Sequence, residues 1–208
     1  MRRARKIAKI KIGVLISGSG SNLQAIIDAC DDGILKGRAD VVVVIANKAD
    51  AFGLERARQH NIPAIFADRK KFADGRSYGA YLVKELDVHN IGLVCLAGFL
   101  LKLEPNFVDA YAGRILNIHP ALLPKYGGKG MYGHHVHEAV VCAGETESGA
   151  TVHVVDAEYD HGPAVVQRRV PVSPGDTPDD LARRVLEVEH QIYPEAILKI
   201  IEQLHKKT

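Results

Sequence analysis

Short apolar runs alternate with stretches of helical spacing through the first 120 residues. Ile12-Gly-Val-Leu-Ile16 has the length of a buried strand, and Leu23, Ile26, Ile27 and Cys30 follow at i, i+3, i+4 and i+7, the spacing of one helix face. Val41-Val-Val-Val-Ile45 predicts a second strand, and Phe52 to Gln59 a helix running before the short apolar stretch Pro63-Ala-Ile-Phe66. Tyr78 to Leu86 predicts a helix, Gly92-Leu-Val-Cys-Leu-Ala97 a buried strand, Pro105 to Tyr111 a helical stretch, and Arg114-Ile-Leu-Asn-Ile-His119 a further strand. Such alternation predicts an α/β fold: an open, mostly parallel twisted sheet with helices on both faces, whose ligands gather at the carboxyl ends of the strands.

After residue 120 the pattern changes. Thr151 to Asp156 and Val165 to Val172 alternate as strands do and are separated by a Gly-Pro turn, which predicts antiparallel strands in the C-terminal part. Thr177-Pro178-Asp179-Asp180 is a helix start, with Thr as N-cap, Pro at the first position and acids in the first turn. Helical spacing then continues towards Leu204. No repeat, low-complexity tract or linker interrupts the chain, so residues 10–208 are expected to form a single domain behind a basic extension at residues 1–9.

Between the first strand and the first helix lies Ser17-Gly18-Ser19-Gly20-Ser21-Asn22. Glycines there let the backbone turn tightly and aim amide N–H groups at an anion held at the helix N-terminus. A dinucleotide fingerprint would place a third glycine where Leu23 stands and an acid where Asn47 stands, and a nucleotide P-loop would need Gly-Lys-Ser/Thr. A monophosphate ester is therefore the expected ligand.

Strand alternation in Ile115-Leu-Asn-Ile-His119 puts Asn117 and His119 side by side on one face, and Pro120 ends the strand. A carboxamide donor beside an imidazole at a strand's carboxyl end suits acyl transfer, the amide stabilising a developing oxyanion and the imidazole moving protons. The loop Asp156-Ala-Glu-Tyr-Asp160-His-Gly-Pro163 carries several acids, one of which can reach His119, raise its pKa and keep a proton donor available near neutral pH. Spacing alone does not choose among Asp156, Glu158 and Asp160.

Composition adds limits. With 208 residues, 47% hydrophobic and 25% charged, the chain can bury one substantial core. Six of the 27 basic residues fall in the first eleven positions, leaving 21 basic against 25 acidic, so the body is mildly acidic and no nucleic-acid partner is expected. Cys30, Cys95 and Cys142 are scattered with no CxxC pair, which fits a reducing cytoplasm. No apolar run approaches the roughly 18 residues that span a bilayer, so no membrane partner is expected. His134, His135 and His137 have a metal-like look but read as a solvated loop, and no metal is expected.

Five segments carry a resemblance: Ile16-Ser-Gly-Ser-Gly-Ser-Asn-Leu-Gln24, Asn47-Lys-Ala-Asp-Ala-Phe-Gly-Leu-Glu-Arg-Ala57, Leu96-Ala-Gly-Phe99, Leu116-Asn-Ile-His-Pro-Ala-Leu-Leu-Pro-Lys-Tyr126 and Asp160-His-Gly-Pro163. In this order, over roughly residues 10 to 204, they resemble the phosphoribosylglycinamide formyltransferases of purine synthesis. The resemblance implies a Rossmann-like formyltransferase fold and transfer of a formyl group from the co-substrate 10-formyltetrahydrofolate to glycinamide ribonucleotide, by a monomer or homodimer. It implies Asn117, His119 and Asp160 as the catalytic trio, and so supplies the choice of Asp160. Gly20, Ser21, Asn22 and Glu189 match contacts to glycinamide ribonucleotide. Leu100, Leu101, Lys102 and Leu103 match the stretch bordering the pterin, with Asn117 and the loop from Asp156 to Asp160 closing over it. Where the family often has a folate-binding arginine, Gly75 stands, with Arg76 one step later as the implied contact. The stretch Gly127-Gly-Lys-Gly-Met-Tyr-Gly133 departs from some members by its length and glycine content.

Three rivals remain at this level. A 10-formyltetrahydrofolate hydrolase shares the Asn-His-Asp core but resembles a chain with an N-terminal regulatory domain, whereas the catalytic pattern here starts near residue 10. Methionyl-tRNA formyltransferases carry a further C-terminal domain, and the pattern here ends near Leu204. A non-catalytic phosphate-binding module would leave Asn117 and His119 unexplained.

Overall fold

Seven strands form one sheet in the order β3-β2-β1-β4-β5-β6-β7 in the computed structural model, which describes residues 9–206. Residues 1–8, most of the basic extension, lie outside that range; Lys9 is described and pairs with Asp40 at 2.8 Å. The strands are β1 (Ile10–Ile16), β2 (Ala39–Ala46), β3 (Ala64–Phe66), β4 (Leu93–Leu96), β5 (Ile115–His119), β6 (Glu147–Val154) and β7 (Ala164–Pro171). The helices are α1 (Ser21–Asp31), α2 (Phe52–Gln59), α3 (Gly75–Val88), α4 (Pro105–Ala110), α5 (His134–Cys142) and α6 (Pro178–Lys206). The first five strands pair in parallel, whereas β5, β6 and β7 pair antiparallel, as the change of pattern after residue 120 predicts.

Period-two burial divides the core into two layers. Ile12, Val14, Val44, Cys95, Leu116 and Ile118 face a layer closed by α1, α2, α5 and α6. Leu15, Val43, Ile45, Val94 and Ile115 face a layer closed by α3 and α4. Asn117 and His119 therefore project on the α3/α4 side, beyond the last apolar residue that β5 gives to that layer. Tyr193 of α6 is fully buried, with its hydroxyl 3.0 Å from the carbonyl oxygens of both Leu96 and Leu116, so the C-terminal helix is keyed to the ends of β4 and β5. The start of α6 is capped reciprocally: Thr177 Oγ1 accepts from the Asp180 amide at 3.2 Å and the Asp180 carboxylate accepts from the Thr177 amide at 3.1 Å.

The order reverses between β1 and β4, and the loops leaving their carboxyl ends are tied together. The Ser17 amide donates to Gly98 O at 3.1 Å, and the Leu100 amide donates to Ser17 Oγ at 2.9 Å. This is where an open α/β sheet leaves a crevice for ligands.

Residues 134–142 overturn one expectation. They form α5 rather than a solvated loop, because Val136 and Val140 at i and i+4 are buried, Val140 within the α6 layer. His137 lies among them and is only 5% exposed, while His134 and His135 stay on the outer side and face Glu138 at 3.4 and 3.3 Å.

Candidate active site

At that crevice lies a cavity of about 660 Å³, within the range of small-molecule sites. Its walls come from the ends of β4 and β5, the loops after them, β6 and its following loop, and one face of α6. Asn117, His119 and Asp160 all line it, joined by Asn22, Glu189, Asp156 and the stretch Leu100 to Leu103.

Asp160 is the meeting point of the polar groups. Its Oδ1 accepts from Asn117 Nδ2 at 3.3 Å, and its Oδ2 accepts from the Gly128 amide at 3.0 Å and stands 3.5 Å from His119 Nδ1. A fourth residue, His153, belongs to the group. It is 1% exposed, pairs across the sheet with Asn117, and has Nε2 at 3.1 Å from Asn117 Nδ2 and 3.6 Å from Asp160 Oδ1. Because His153 Nδ1 lies 3.1 Å from Val154 O, a pure acceptor, that nitrogen carries the hydrogen and Nε2 accepts from Asn117. The two amide hydrogens of Asn117 are thereby aimed at two acceptors. His153 was not singled out in the sequence because its partner across the sheet is 36 residues away, and only strand pairing brings them together.

His119 is 3% exposed, with Nε2 2.7 Å from Tyr126 O. A carbonyl only accepts, so Nε2 bears the hydrogen and Nδ1 faces Asp160. Burial lowers the His119 pKa, outweighing the opposing pull of Asp160 and the Tyr126 carbonyl. This corrects the expectation that a nearby carboxylate raises it: the imidazole rests neutral near pH 7, because desolvation of the cation dominates. Burial acts to raise the Asp160 pKa, but His153, His119 and the Gly128 amide together bring it below the usual value. A neutral imidazole and a carboxylate thus stand together, ready to take up a proton.

The segment that closes over this pair has unusual backbone. Tyr126 adopts φ 57°, Gly128 φ 96°, and a Cβ on Gly127 would sit 2.6 Å from Leu123 Cδ2 and 3.2 Å from Asp160 Cβ. A left-handed conformation at a non-glycine residue costs about 1–2 kcal/mol, so the surroundings must hold Tyr126 there. The remainder of the glycine-rich stretch, Gly128 to Gly133, forms a wall of the cavity and leads into α5, placing His137 on the lining as well. Burial pushes the His137 pKa down to about 4.

The glycine loop sits at the amino end of α1. Gly20, at φ 71°, is the N-cap and supplies no side chain, so the amides of the first turn stay uncapped by the chain's own polar groups. The loop is braced by the segment after β2: the Gly53 amide donates to Gly18 O at 3.1 Å, Arg56 Nε donates to Ser19 O at 2.9 Å, and a Cβ on Gly20 would meet Gly53 Cα at 2.7 Å. Arg56 places a positive charge beside these amides, reinforcing an anion site. Ser21 borders a shallower groove shared with Arg56 and His190, whereas Asn22 turns into the main cavity.

Glu189 is far from an ordinary exposed helix acid. It is 7% exposed, lines the cavity, and accepts from Asn22 Nδ2 at 2.7 Å. Burial raises its pKa to about 7, with the Asn22 hydrogen bond opposing. Asn22 Oδ1 is buried without a hydrogen-bond partner, so this end of the cavity holds an unused acceptor.

Leu100, Leu101, Lys102 and Leu103 all border the cavity, with Leu100 47% exposed and Leu103 buried. Lys102 Nζ stands 5.3 Å from the Tyr159 ring centroid at the rim. Asp156 lines the cavity and accepts from the Glu158 amide at 2.9 Å, with His161 Nδ1 at 2.9 Å. Arg76 is the exception: it is exposed in the first turn of α3 and does not border the cavity. Among the described residues, no group of three or more His, Cys, Asp or Glu side chains is placed to hold a metal ion.

Comparison with known proteins relates the chain to one family. A family model described as formyl transferase covers residues 10–197. Phosphoribosylglycinamide formyltransferase of Escherichia coli (strain K12) is 49% identical over 185 residues, 89% of this chain and 84% of that protein. The trifunctional purine biosynthetic protein adenosine-3 of Drosophila melanogaster is 45% identical over 191 residues, 92% of this chain but 14% of that longer protein. Glycinamide ribonucleotide transformylase 1 from Symbiobacterium toebii has a similar structure, with a TM-score of 0.88 at 44% identity, covering 94% of this chain and 89% of that one.

Proposed function

The chain belongs to the formyl transferase family, and on that footing we propose that it transfers the formyl group of 10-formyltetrahydrofolate to the amine of N1-(5-phospho-D-ribosyl)glycinamide in purine biosynthesis. The observation that carries this reading is that one cavity joins the Asn117, His119 and Asp160 cluster to Asn22 and Glu189 beside the anion loop, and to the apolar stretch Leu100–103. A phosphorylated amine and a flat heteroaromatic donor fit those two flanks.

In the proposed mechanism the neutral amine attacks the formyl carbon, forming the new C–N bond while the carbonyl pair moves onto oxygen. Asn117 N–H groups stabilise that oxyanion, in competition with Asp160 and His153 for the amide hydrogens, and His119 joins them once it has taken the amine's proton on Nδ1. The amine then bears a surplus proton. The neutral His119 and ionised Asp160 relay it, directly or through a water held by Asp160, to the folate nitrogen, whose C–N bond breaks. Gly20, Ser21 and Asn22 hold the phosphate, and Glu189 the remainder of the ribonucleotide. Leu100 to Leu103, Asn117 and the Asp156 to Asp160 loop bind the folate. Lys102, at the rim, is suited to an anionic part of the donor.

Residues 10–208 act as one catalytic domain, a reading supported by the single continuous sheet. We place the enzyme in the cytoplasm as a monomer or homodimer, without nucleic-acid or membrane partners. The free thiols Cys30, Cys95 and Cys142 suit a reducing compartment, and no helix among the described residues is long and apolar enough to cross a membrane. The test is to follow tetrahydrofolate formation with and without glycinamide ribonucleotide. Turnover that requires the amine and yields its formamide is expected. Deformylation at the same rate without the amine would mark a hydrolase, and tight binding without turnover a non-catalytic module.

A further inference from the structure

Both nitrogens of His119 are spoken for, and the group that takes Nε2 is a backbone carbonyl. Tyr126 O lies 2.7 Å from Nε2, which assigns that nitrogen the hydrogen and leaves Nδ1 as the one that faces Asp160. The carbonyl meets Nε2 while Tyr126 holds the left-handed conformation, φ 57°, that an L residue with a bulky side chain rarely adopts. Something must keep it there, and the structure shows what does. The Tyr126 hydroxyl donates to Glu145 Oε1 at 2.8 Å, and Lys125 Nζ reaches the same oxygen at 2.5 Å. Glu145 is anchored in turn: it follows the end of α5, and its amide donates to Val140 O at 3.3 Å, Val140 being buried in the α6 layer. Glu145 does not line the cavity.

We propose that Glu145 is a positioning residue for the formyl-transfer centre: by gripping Tyr126 it turns the Tyr126 carbonyl onto His119 Nε2 and reserves His119 Nδ1, opposite Asp160, for the proton that leaves the amine. The inference rests on the reading of His119 as catalytic. A hydrogen bond to a carbonyl selects one imidazole tautomer, and which nitrogen is bare decides which can accept a proton. With the grip removed, Tyr126 relaxes out of the left-handed region and its carbonyl leaves Nε2. The hydrogen can then move to Nδ1, where the Asp160 carboxylate draws it. That tautomer presents no lone pair at Nδ1, the nitrogen that faces Asp160 and the arriving proton.

The experiment reads the tautomer and the turnover separately. Long-range proton–nitrogen NMR of enzyme labelled with nitrogen-15 histidine, with His119 assigned by comparison with His119→Gln, reports which nitrogen is protonated above its titration. Wild type is expected to show a protonated Nε2 and a bare Nδ1. Glu145→Ala and Tyr126→Phe are both expected to lose this pure pattern and to lower kcat by about tenfold to a hundredfold, the scale of a small misplacement of a catalytic group, with KM for both substrates within about twofold. Glu145→Gln keeps an oxygen acceptor for the hydroxyl and is expected to restore both readouts. Tyr126→Phe removes one oxygen atom and keeps the ring, so a folded variant is secured even where Glu145→Ala does not fold. An unchanged His119 pattern with unchanged kcat in Tyr126→Phe overturns the proposal, as does a Glu145→Gln enzyme that falls as far as the alanine variant. Near-normal turnover by folded His119→Ala would instead refute the catalytic reading, and the tautomer spectra would remain interpretable.

Discussion

Replacing Glu189 with glutamine should make the protein more stable and the enzyme worse, and the stability gain should depend on pH in one direction only. The carboxyl is 7% exposed, and its one hydrogen-bond partner among the described residues is the Asn22 amide at 2.7 Å, so the charged form is poorly solvated and its pKa rises from the usual 4.5 to about 7. Between those values the folded chain keeps a proton that the unfolded chain has released. Stability is therefore undiminished below pH 4.5 and falls as pH rises towards 7. At about 1.4 kcal/mol for each tenfold change in proton affinity, the full loss is about 3 kcal/mol above pH 7. Glutamine never ionises, so it escapes this loss. Its amide can also donate to Asn22 Oδ1, which is buried without a partner. Urea unfolding of wild type and Glu189→Gln, without substrates, from pH 4.5 to 9 should give a difference that grows from near zero to about 3 kcal/mol and then levels. A difference that stays constant across this range, or that shrinks as pH rises, would refute the reasoning. The same variant should raise KM for glycinamide ribonucleotide far more than for the folate.

Asn117→Ala should lower kcat by about a hundredfold to a thousandfold, the loss typical of one oxyanion donor, with circular dichroism confirming the fold; a wild-type kcat would remove Asn117 from the mechanism. Asp160→Asn should lower the His119 pKa further, since the carboxylate is the main group holding it up against burial, and imidazole NMR titration measures this. Gly53→Ala lies outside the cavity, yet a Cβ there meets Ile16 Cδ1 at 2.4 Å and Gly20 Cα at 3.2 Å; it should raise KM for the phosphorylated substrate while leaving that for the folate unchanged. His137, whose pKa is pushed down to about 4, should have the opposite pH signature to Glu189. As pH falls from 6.5 to 4 the unfolded chain gains a proton that the folded one declines, so stability drops by up to about 3 kcal/mol. In the Glu189→Gln background, His137→Gln should flatten that acid-side decline in urea titrations.

Much of this was legible along the chain. Ile12–Ile16, Val41–Ile45 and Gly92–Ala97 are buried strands because a parallel strand covered on both faces must be apolar at every position, and the observed strands overlap each of them. The alternation in Ile115–His119 correctly placed Asn117 beside His119, because strand geometry is local. The glycine loop marked the amino end of α1 for the same reason: the residues that allow the turn are the turn itself. Residues 134–142 were missed as a helix because the histidines and the preceding glycines masked the two valines that bury it.

Apart from α5, the sequence by itself thus determined the elements, their order and the neighbours within each element, since these depend on periodicity and backbone preference over a few residues. The tertiary structure alone decided what happens between elements. It set His153 opposite Asn117, fixed Glu189 against Asn22 across 167 positions, and left Arg76 outside the cavity. It also reversed the expected shift at His119, because the carboxylate is a neighbour one can guess from the loop's composition, whereas the burial that overcomes it is the sum of every element packed around the ring.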